Sequence, residues 1–277
     1  MIKMTYPFCY CPEINEICLF KVLNRYLNDD TNSIFAKETH GAKGLVKFNQ
    51  NNGSVAIKEI ADLQILCYDS VNSSIKISFL QAKFNRSNHN RSRISSFKGD
   101  ALQWDLLKYR PIFESVGSIN FPDDILNNSS YLSIGGFGVF YFWDSDTIDF
   151  VYSTASELSP RDLNYSRRRC ERVIYPLNGF NDNKTPDETL VRDSMNGYID
   201  SLLKFEIGSP VLVNSSTAAY VSNLLSNMQR SEDFEGAGGL LEMMSNALGG
   251  DQINDRFNNE GFINTLLIKS NSDNRKG

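Results

Sequence analysis

The sequence predicts an α/β fold. Three observations carry the prediction. A segment after Pro12 repeats apolar residues every three to four positions, which is helical spacing. Two runs rich in Val, Ile and Leu, at 55–68 and 75–84, flank a polar turn and read as strands. Beyond them, a helix, two further strands and then three helices are expected. With 277 residues, 41% of them hydrophobic, the chain suits one large domain, or one domain with a smaller appendage, around a proper core.

Taken in order, the first element is a helix that starts near Pro12. Proline fits a first helical turn, and Glu13 and Glu16 suit the positive end of the helix dipole. Ile17, Phe20, Leu23 and Leu27 form its apolar stripe, and the polar cluster Asn28-Asp-Asp-Thr-Asn-Ser33 ends it. The stretches His40-Gly-Ala-Lys-Gly44 and Asn49-Gln-Asn-Asn-Gly53 read as polar and mobile. Residues 55–68 read as one strand, Asp69-Ser-Val-Asn-Ser-Ser74 as a turn, and 75–84 as a second strand, so an antiparallel hairpin is expected. Residues 85–96 are polar and basic, and a helix follows from 96 to 109, before Pro111. Strands are expected at 131–143 and 147–153. Helices are expected at 186–204, with Thr185-Pro186 at the start, at 216–229, and at 239–247 after a linker at 231–239. The last residues, 270–277, read as a frayed tail.

Composition excludes several chemistries. His40 and His89 are the only histidines, too few for a zinc site built on several imidazoles, and neither sits near a nucleophile elbow. Five cysteines, unevenly spread, suggest no disulfide framework, and the N-terminal trio Cys9, Cys11 and Cys18, which lacks a CxxC pair, reads as buried or semi-exposed thiols rather than a metal site. The N-terminus lacks the apolar stretch of a secretory signal, and the longest apolar run, Phe137–Trp143, is too short to span a bilayer. A cytoplasmic protein with no membrane association is the expectation. Gly135-Gly-Phe-Gly138 precedes an apolar strand rather than opening a helix, and Gly236-Ala-Gly-Gly239 lacks the lysine of a phosphate loop, so neither reads as a nucleotide site.

The informative segment is 58–84. If the hairpin is centred in the 69–74 turn, Asp62 falls opposite Gln81, with Lys83 two residues further along the same face. An acid, an amide oxygen and an amine on otherwise apolar strands need partners or a metal, a local departure from patterning expected at functional sites. Carboxylate and carbonyl oxygens are hard ligands, suited to Mg²⁺ or Mn²⁺, and a neighbouring lysine can orient water and stabilise charge developing on a phosphate. Glu16, which continues the stripe through Phe20, Leu23 and Leu27, is the candidate third ligand, with Glu13 one turn earlier as the fallback. The rival reading is structural. It makes Asp62 a strand-end acid paired with Lys83 or Lys58 at the surface, and Gln81 and Lys83 members of a solvated edge.

A helix glutamate, a strand aspartate, a turn and a strand carrying (D/E/Q)xK form the pattern of the PD-(D/E)xK restriction-endonuclease-like superfamily. Here Glu16, Asp62, Gln81 and Lys83 resemble it over about residues 12–110. The Gln81-Ala-Lys83 variant resembles Mrr-type nucleases and effector nucleases of bacterial anti-phage systems, Lamassu-type effectors among them. The resemblance implies a restriction-endonuclease-like core with a mixed central sheet flanked by helices. It also implies metal-dependent phosphodiester hydrolysis, with Asp62, Gln81 and Glu16 on the metal and Lys83 assisting the attacking water. Ala61 stands where the pattern has proline, and Gln81 removes one negative charge from the metal site, which raises the importance of the helix glutamate.

Charge is distributed in support of that reading. The net charge is −5, yet residues 83–110 hold seven basic against two acidic residues, and 1–82 balance at eight of each. Arg86, Arg91 and Arg93 follow the QxK strand and, with Lys98, are candidates for phosphate contacts; a solvated loop is the plainer alternative. Arg167, Arg168, Arg169 and Arg172 form a second basic run. The division expected is a nuclease core over 1–115, and a C-terminal mixed α/β to helical extension over 116–277 that serves oligomerisation or partner docking. The functional expectation is a Mg²⁺- or Mn²⁺-dependent endonuclease acting on DNA, an effector of anti-phage defence. It would be restrained by homo-oligomerisation or by an ATPase or SMC-like partner. The alternative is a catalytically inactive nucleic-acid-binding or assembly subunit.

Overall fold

The computed structural model describes residues 4–5, 14–29, 33–85, 96–143, 147–160, 171–174, 191–192, 194–229, 246–248 and 266–267. The fold is α/β. Its centre is a mixed sheet of nine strands in the order β1-β10-β9-β6-β5-β2-β15, with β13 added to β10 and β14 to β6. The long strands are β2 (Ile34–Glu38), β5 (Leu63–Asp69), β6 (Ser74–Asn85), β9 (Gly135–Phe142) and β10 (Thr147–Thr154); β1 (Met4–Thr5), β13 (Val191–Arg192), β14 (Ser209–Pro210) and β15 (Leu266–Leu267) are short additions. Among the described residues, only the β6–β9 pairing of this sheet is parallel. The sheet therefore takes strands from both sides of residue 115.

Period-two alternation sorts each strand between two cores. One face presents Ile34, Ala36, Leu63, Ile65, Leu80, Ala82, Phe140 and Phe150. It is covered by α1 (Glu16–Asp29) through Leu19, Phe20, Leu23 and Leu27, and by α3 (Met195–Leu203) through Tyr198 and Leu202. The other face presents Phe35, Leu66, Ile77, Phe79, Phe137 and Val139. It meets α2 (Ala101–Tyr109) through Trp104 and Leu107, and α4 (Ser216–Gln229) through Val221 and Leu225. Glycine sets one of these contacts. A Cβ on Gly138 would lie 2.2 Å from the ring of Phe150 on the neighbouring strand, so the aromatic packing requires its absence.

The β5–β6 register pairs Leu63 with Leu80 and Asp69 with Ser74, as the hairpin reading requires. Several boundaries differ from the sequence reading. The run 55–68 is not one strand. β4 (Val55–Glu59) pairs with β3 (Leu45–Asn49), which pairs with β8 (Phe113–Ser115), in a separate three-stranded sheet. The chain then crosses at Ile60–Asp62 into the central sheet. Ile60 and Ala61 are buried and apolar at the crossing, so composition alone does not mark the change of sheet. The helix expected at 96–109 begins only at Ala101. Ser96–Gly99 form β7, paired with β12 (Glu171–Ile174), which also pairs β11 (Ser159–Pro160). Asp100 caps α2, its carboxylate accepting from the amides of Leu102 at 2.9 Å and Gln103 at 3.3 Å.

The helix expected at 186–204 is observed as α3, which Ser194 caps; α4 occupies the expected span. Ile17 on α1 is 46% exposed, off the stripe that buries Phe20, Leu23 and Leu27. Cys18 is disulfide-bonded rather than a thiol, whereas Cys67 is a free, buried thiol that burial pushes up to about 12. Pro12, the 231–239 linker, the Arg167–Arg169 run and the tail lie outside the described residues. Among the described residues no helix is long and apolar enough to cross a membrane.

Candidate metal centre at the open edge of β6

The site arises because β6 outlasts its neighbour. β5 ends its ladder at the Leu63–Leu80 pair, while β6 runs on to Asn85. Beyond that pair β5 no longer reaches the amides of Ala82 and Phe84 on that edge, and a buried N–H needs an acceptor. Two carboxylates take the place of the missing strand. Asp62 Oδ2 accepts from the Ala82 amide at 2.7 Å, and Glu16 Oε2 accepts from the Phe84 amide at 3.3 Å. The backbone fixes Asp62 further: its N–H donates to Leu80 O at 3.0 Å, and its carbonyl accepts from Thr39 N at 2.9 Å.

Around these carboxylates the sequence-predicted residues gather in two groups. The Gln81 amide nitrogen donates to Asp62 Oδ2. Lys83 Nζ donates to Glu16 Oε1 at 3.1 Å. Asp62 is therefore opposite Gln81, and Lys83 lies with the helix glutamate rather than with Asp62. The rival surface-pair reading of Asp62 does not hold. Asp62 and Gln81 are each 1% exposed, and Lys58 pairs instead with Asp100 at 2.7 Å. Gln81 Oε1 is buried and has no hydrogen-bond partner.

The structure adds two residues that the sequence reading did not select. His40 Nδ1 lies 2.9 Å from Asp62 Oδ1 and 3.3 Å from Glu59 Oε2. Ligand atoms of His40, Glu59 and Asp62 all fall within 4.8 Å of one another. His40 is not in a mobile stretch: it leads into a 3₁₀ turn over Gly41–Gly44, and Gly41 takes φ +80°, a region open to glycine at no steric cost. The ring of Phe20 on α1 packs against the imidazole at 5.4 Å between centroids. The hydrogen bond to Asp62 raises the His40 pKa above its ordinary value. Burial opposes the rise, and the charges of Glu59, Asp62 and Glu16 add to it. Glu59 carried a faint signal, an acid three residues before Asp62. The sheet change that turns it toward Asp62 was invisible in the pattern.

A cleft of about 430 Å³, lined by Asn15, Glu16, Ile17, His40 and Phe84, opens beside the site. Glu16 and His40 form part of its polar wall, and His40 bridges it to the buried Asp62. The donor set fits a divalent cation: two carboxylates, an imidazole nitrogen, and an amide oxygen left orphaned by the fold. Of the remaining candidates, Glu13, Arg86, Arg91 and Arg93 lie outside the described residues. Lys98 is exposed on β7, where the register sets it opposite Arg172 of β12.

No family model, curated protein or solved structure matches the chain. The fold and site define an α/β protein with a carboxylate–imidazole cluster at a sheet edge, and the functional reading rests on that chemistry.

Proposed function

We propose that the chain is a divalent-metal-dependent nuclease with a restriction-endonuclease-like core, hydrolysing phosphodiester bonds of DNA. The observation that carries this reading is the placement of two pairs, Asp62 with Gln81 and Glu16 with Lys83, along one stretch of the β6 edge, beside a cleft. Asp62 and Gln81, with Glu16 adjoining, are the residues that would hold Mg²⁺ or Mn²⁺. When bound, the cation acidifies a water and offsets phosphate charge. The chain's own groups do the rest. The Ala82 amide and the Gln81 amide hold the Asp62 carboxylate in one orientation. Glu16 holds the Lys83 ammonium, a cation placed to stabilise negative charge as the water oxygen attacks phosphorus and the bond to the leaving oxygen breaks. Lys98, exposed on β7, supplies a contact for the phosphate backbone. A free nuclease endangers its own host, so the reading includes restraint by oligomerisation or by an ATPase or SMC-like partner. It also includes a role in anti-phage defence.

One observation favours a second reading. Both oxygens of Asp62 and both of Glu16 are already hydrogen-bonded within the fold. A polar network satisfied in this way can serve structure alone, leaving a nucleic-acid-binding or assembly subunit without activity. Incubation of the purified chain with plasmid DNA and with RNA, in Mn²⁺ and in EDTA, separates the two. The nuclease reading predicts nicking in Mn²⁺ that EDTA stops. Binding that persists in EDTA with no scission in Mn²⁺ supports the second reading and overturns the first.

A further inference from the structure

We infer that the metal is held by the imidazole of His40 together with Glu59 and Asp62, so that the site takes a first-row transition divalent cation through a nitrogen ligand rather than Mg²⁺ through oxygen alone. This inference rests on the metal-site part of the reading above and changes its ligand set. Two independent features carry it.

The first is the shape of the cluster. His40 Nδ1 faces two carboxylate oxygens at once, at 2.9 and 3.3 Å. A ring nitrogen carries one proton, which cannot serve both acceptors well, and that proton occupies the position where a cation would satisfy all three groups. Ligand atoms about 2.0–2.2 Å from a common ion stand roughly 3 Å apart when adjacent and about 4.4 Å apart when opposite. The His40, Glu59 and Asp62 atoms, all within 4.8 Å of one another, meet that spacing with little adjustment. Glu16 stands outside the group, occupied by Lys83 and the Phe84 amide.

The second feature is Gln81. Its side chain is 1% exposed, its amide nitrogen is held against Asp62, and its oxygen is buried without a hydrogen-bond partner. A buried carbonyl oxygen without a partner is costly, and here it belongs to an amide already in contact with the cluster's central carboxylate. Rotation of that amide exchanges the nitrogen for the oxygen and supplies a fourth donor. The resulting set is one imidazole, two carboxylates and one amide oxygen. Its charge of two matches a divalent cation, and its nitrogen favours Mn²⁺, Co²⁺ or Zn²⁺ over Mg²⁺. His40 also lines the cleft, so an ion held by it is reachable from solvent.

Mn²⁺ is the probe. The full chain is loaded with Mn²⁺, and ¹⁴N hyperfine coupling is read by pulsed electron paramagnetic resonance, with affinity from titration calorimetry. The inference predicts nitrogen coupling in the wild type, its loss in His40→Gln, and Mn²⁺ binding weakened by about tenfold or more in His40→Gln and Glu59→Gln. His40→Asp, which restores an oxygen ligand, should bind Mn²⁺ without nitrogen coupling and narrow the preference over Mg²⁺. Circular dichroism establishes that each variant is folded. Mn²⁺ bound in an Asp62-dependent way without nitrogen coupling overturns this inference and leaves the nuclease reading standing. Nitrogen-coupled Mn²⁺ with no strand scission supports the inference and overturns the nuclease reading. Absence of Mn²⁺ binding overturns the inference, and the cleavage assay then decides the nuclease reading by itself.

Discussion

Lys37 on β2 is 1% exposed, and among the described residues no acidic group pairs with it. Burial first, and the nearby charge of Lys43 second, together lower its pKa from 10.5 to about 8. The direction sets the sign of the linkage. The unfolded chain binds the proton more tightly than the folded one, so the buried lysine opposes folding wherever the unfolded side chain is charged. Below pH 8 that penalty is complete, and the difference between the two values corresponds to about 3 kcal/mol. Between pH 8 and 10.5 the penalty shrinks as the folded lysine loses its proton. Lys37→Met keeps most of the buried stem and removes the charge, so the variant should be more stable at pH 7 by about 3 kcal/mol at most. Urea melts of wild type and variant at pH 7, 8.5 and 10 read the gap, which should narrow as pH rises. A variant no more stable than wild type at pH 7, or a gap independent of pH, refutes the reasoning.

Three further outcomes are expected. Asp62→Ala leaves the Ala82 amide buried without a partner and should lower stability by about 1–3 kcal/mol; Asp62→Asn, which keeps an oxygen there, should lower it less, as denaturant melts will show. Gly138→Ala drives a Cβ into the Phe150 ring and should cost about 1–3 kcal/mol in the same assay. In metal-free protein the His40 imidazole should titrate above its ordinary 6.5 by NMR, and Asp62→Asn should lower that value. Because the folded value is raised, the stability that charged His40 contributes relative to His40→Gln is complete below pH 6.5. It disappears as pH climbs through the folded value, and a gap that grows with pH would contradict the assignment.

How far the sequence carried the structure depended on whether the physics was local. The Asp69–Ser74 turn fixed the β5–β6 register, and from it the opposition of Asp62 and Gln81, because strand pairing across a short turn follows from counting. The span of α4 was legible for the same reason, as a regular apolar stripe. The break at Ile60–Asp62 was not, since Ile60 and Ala61 at the crossing are buried and apolar like residues of a core strand. Nor was β7 legible: Ser96–Gly99 is a strand because β12 pairs with it from more than seventy residues away. His40 and Glu59 escaped notice because the crossing and the Gly41 turn, not sequence spacing, bring them to Asp62. Glu16 was found, but its partner proved to be Lys83.

The most direct test of the central claim compares plasmid nicking rates in Mn²⁺ for wild type, Lys83→Ala and Asp62→Asn, each shown by circular dichroism to be folded. The account predicts that the wild type nicks and that each substitution lowers the rate by at least about a hundredfold. Equal rates in all three proteins, or no Mn²⁺-dependent nicking by the folded wild type, would contradict it.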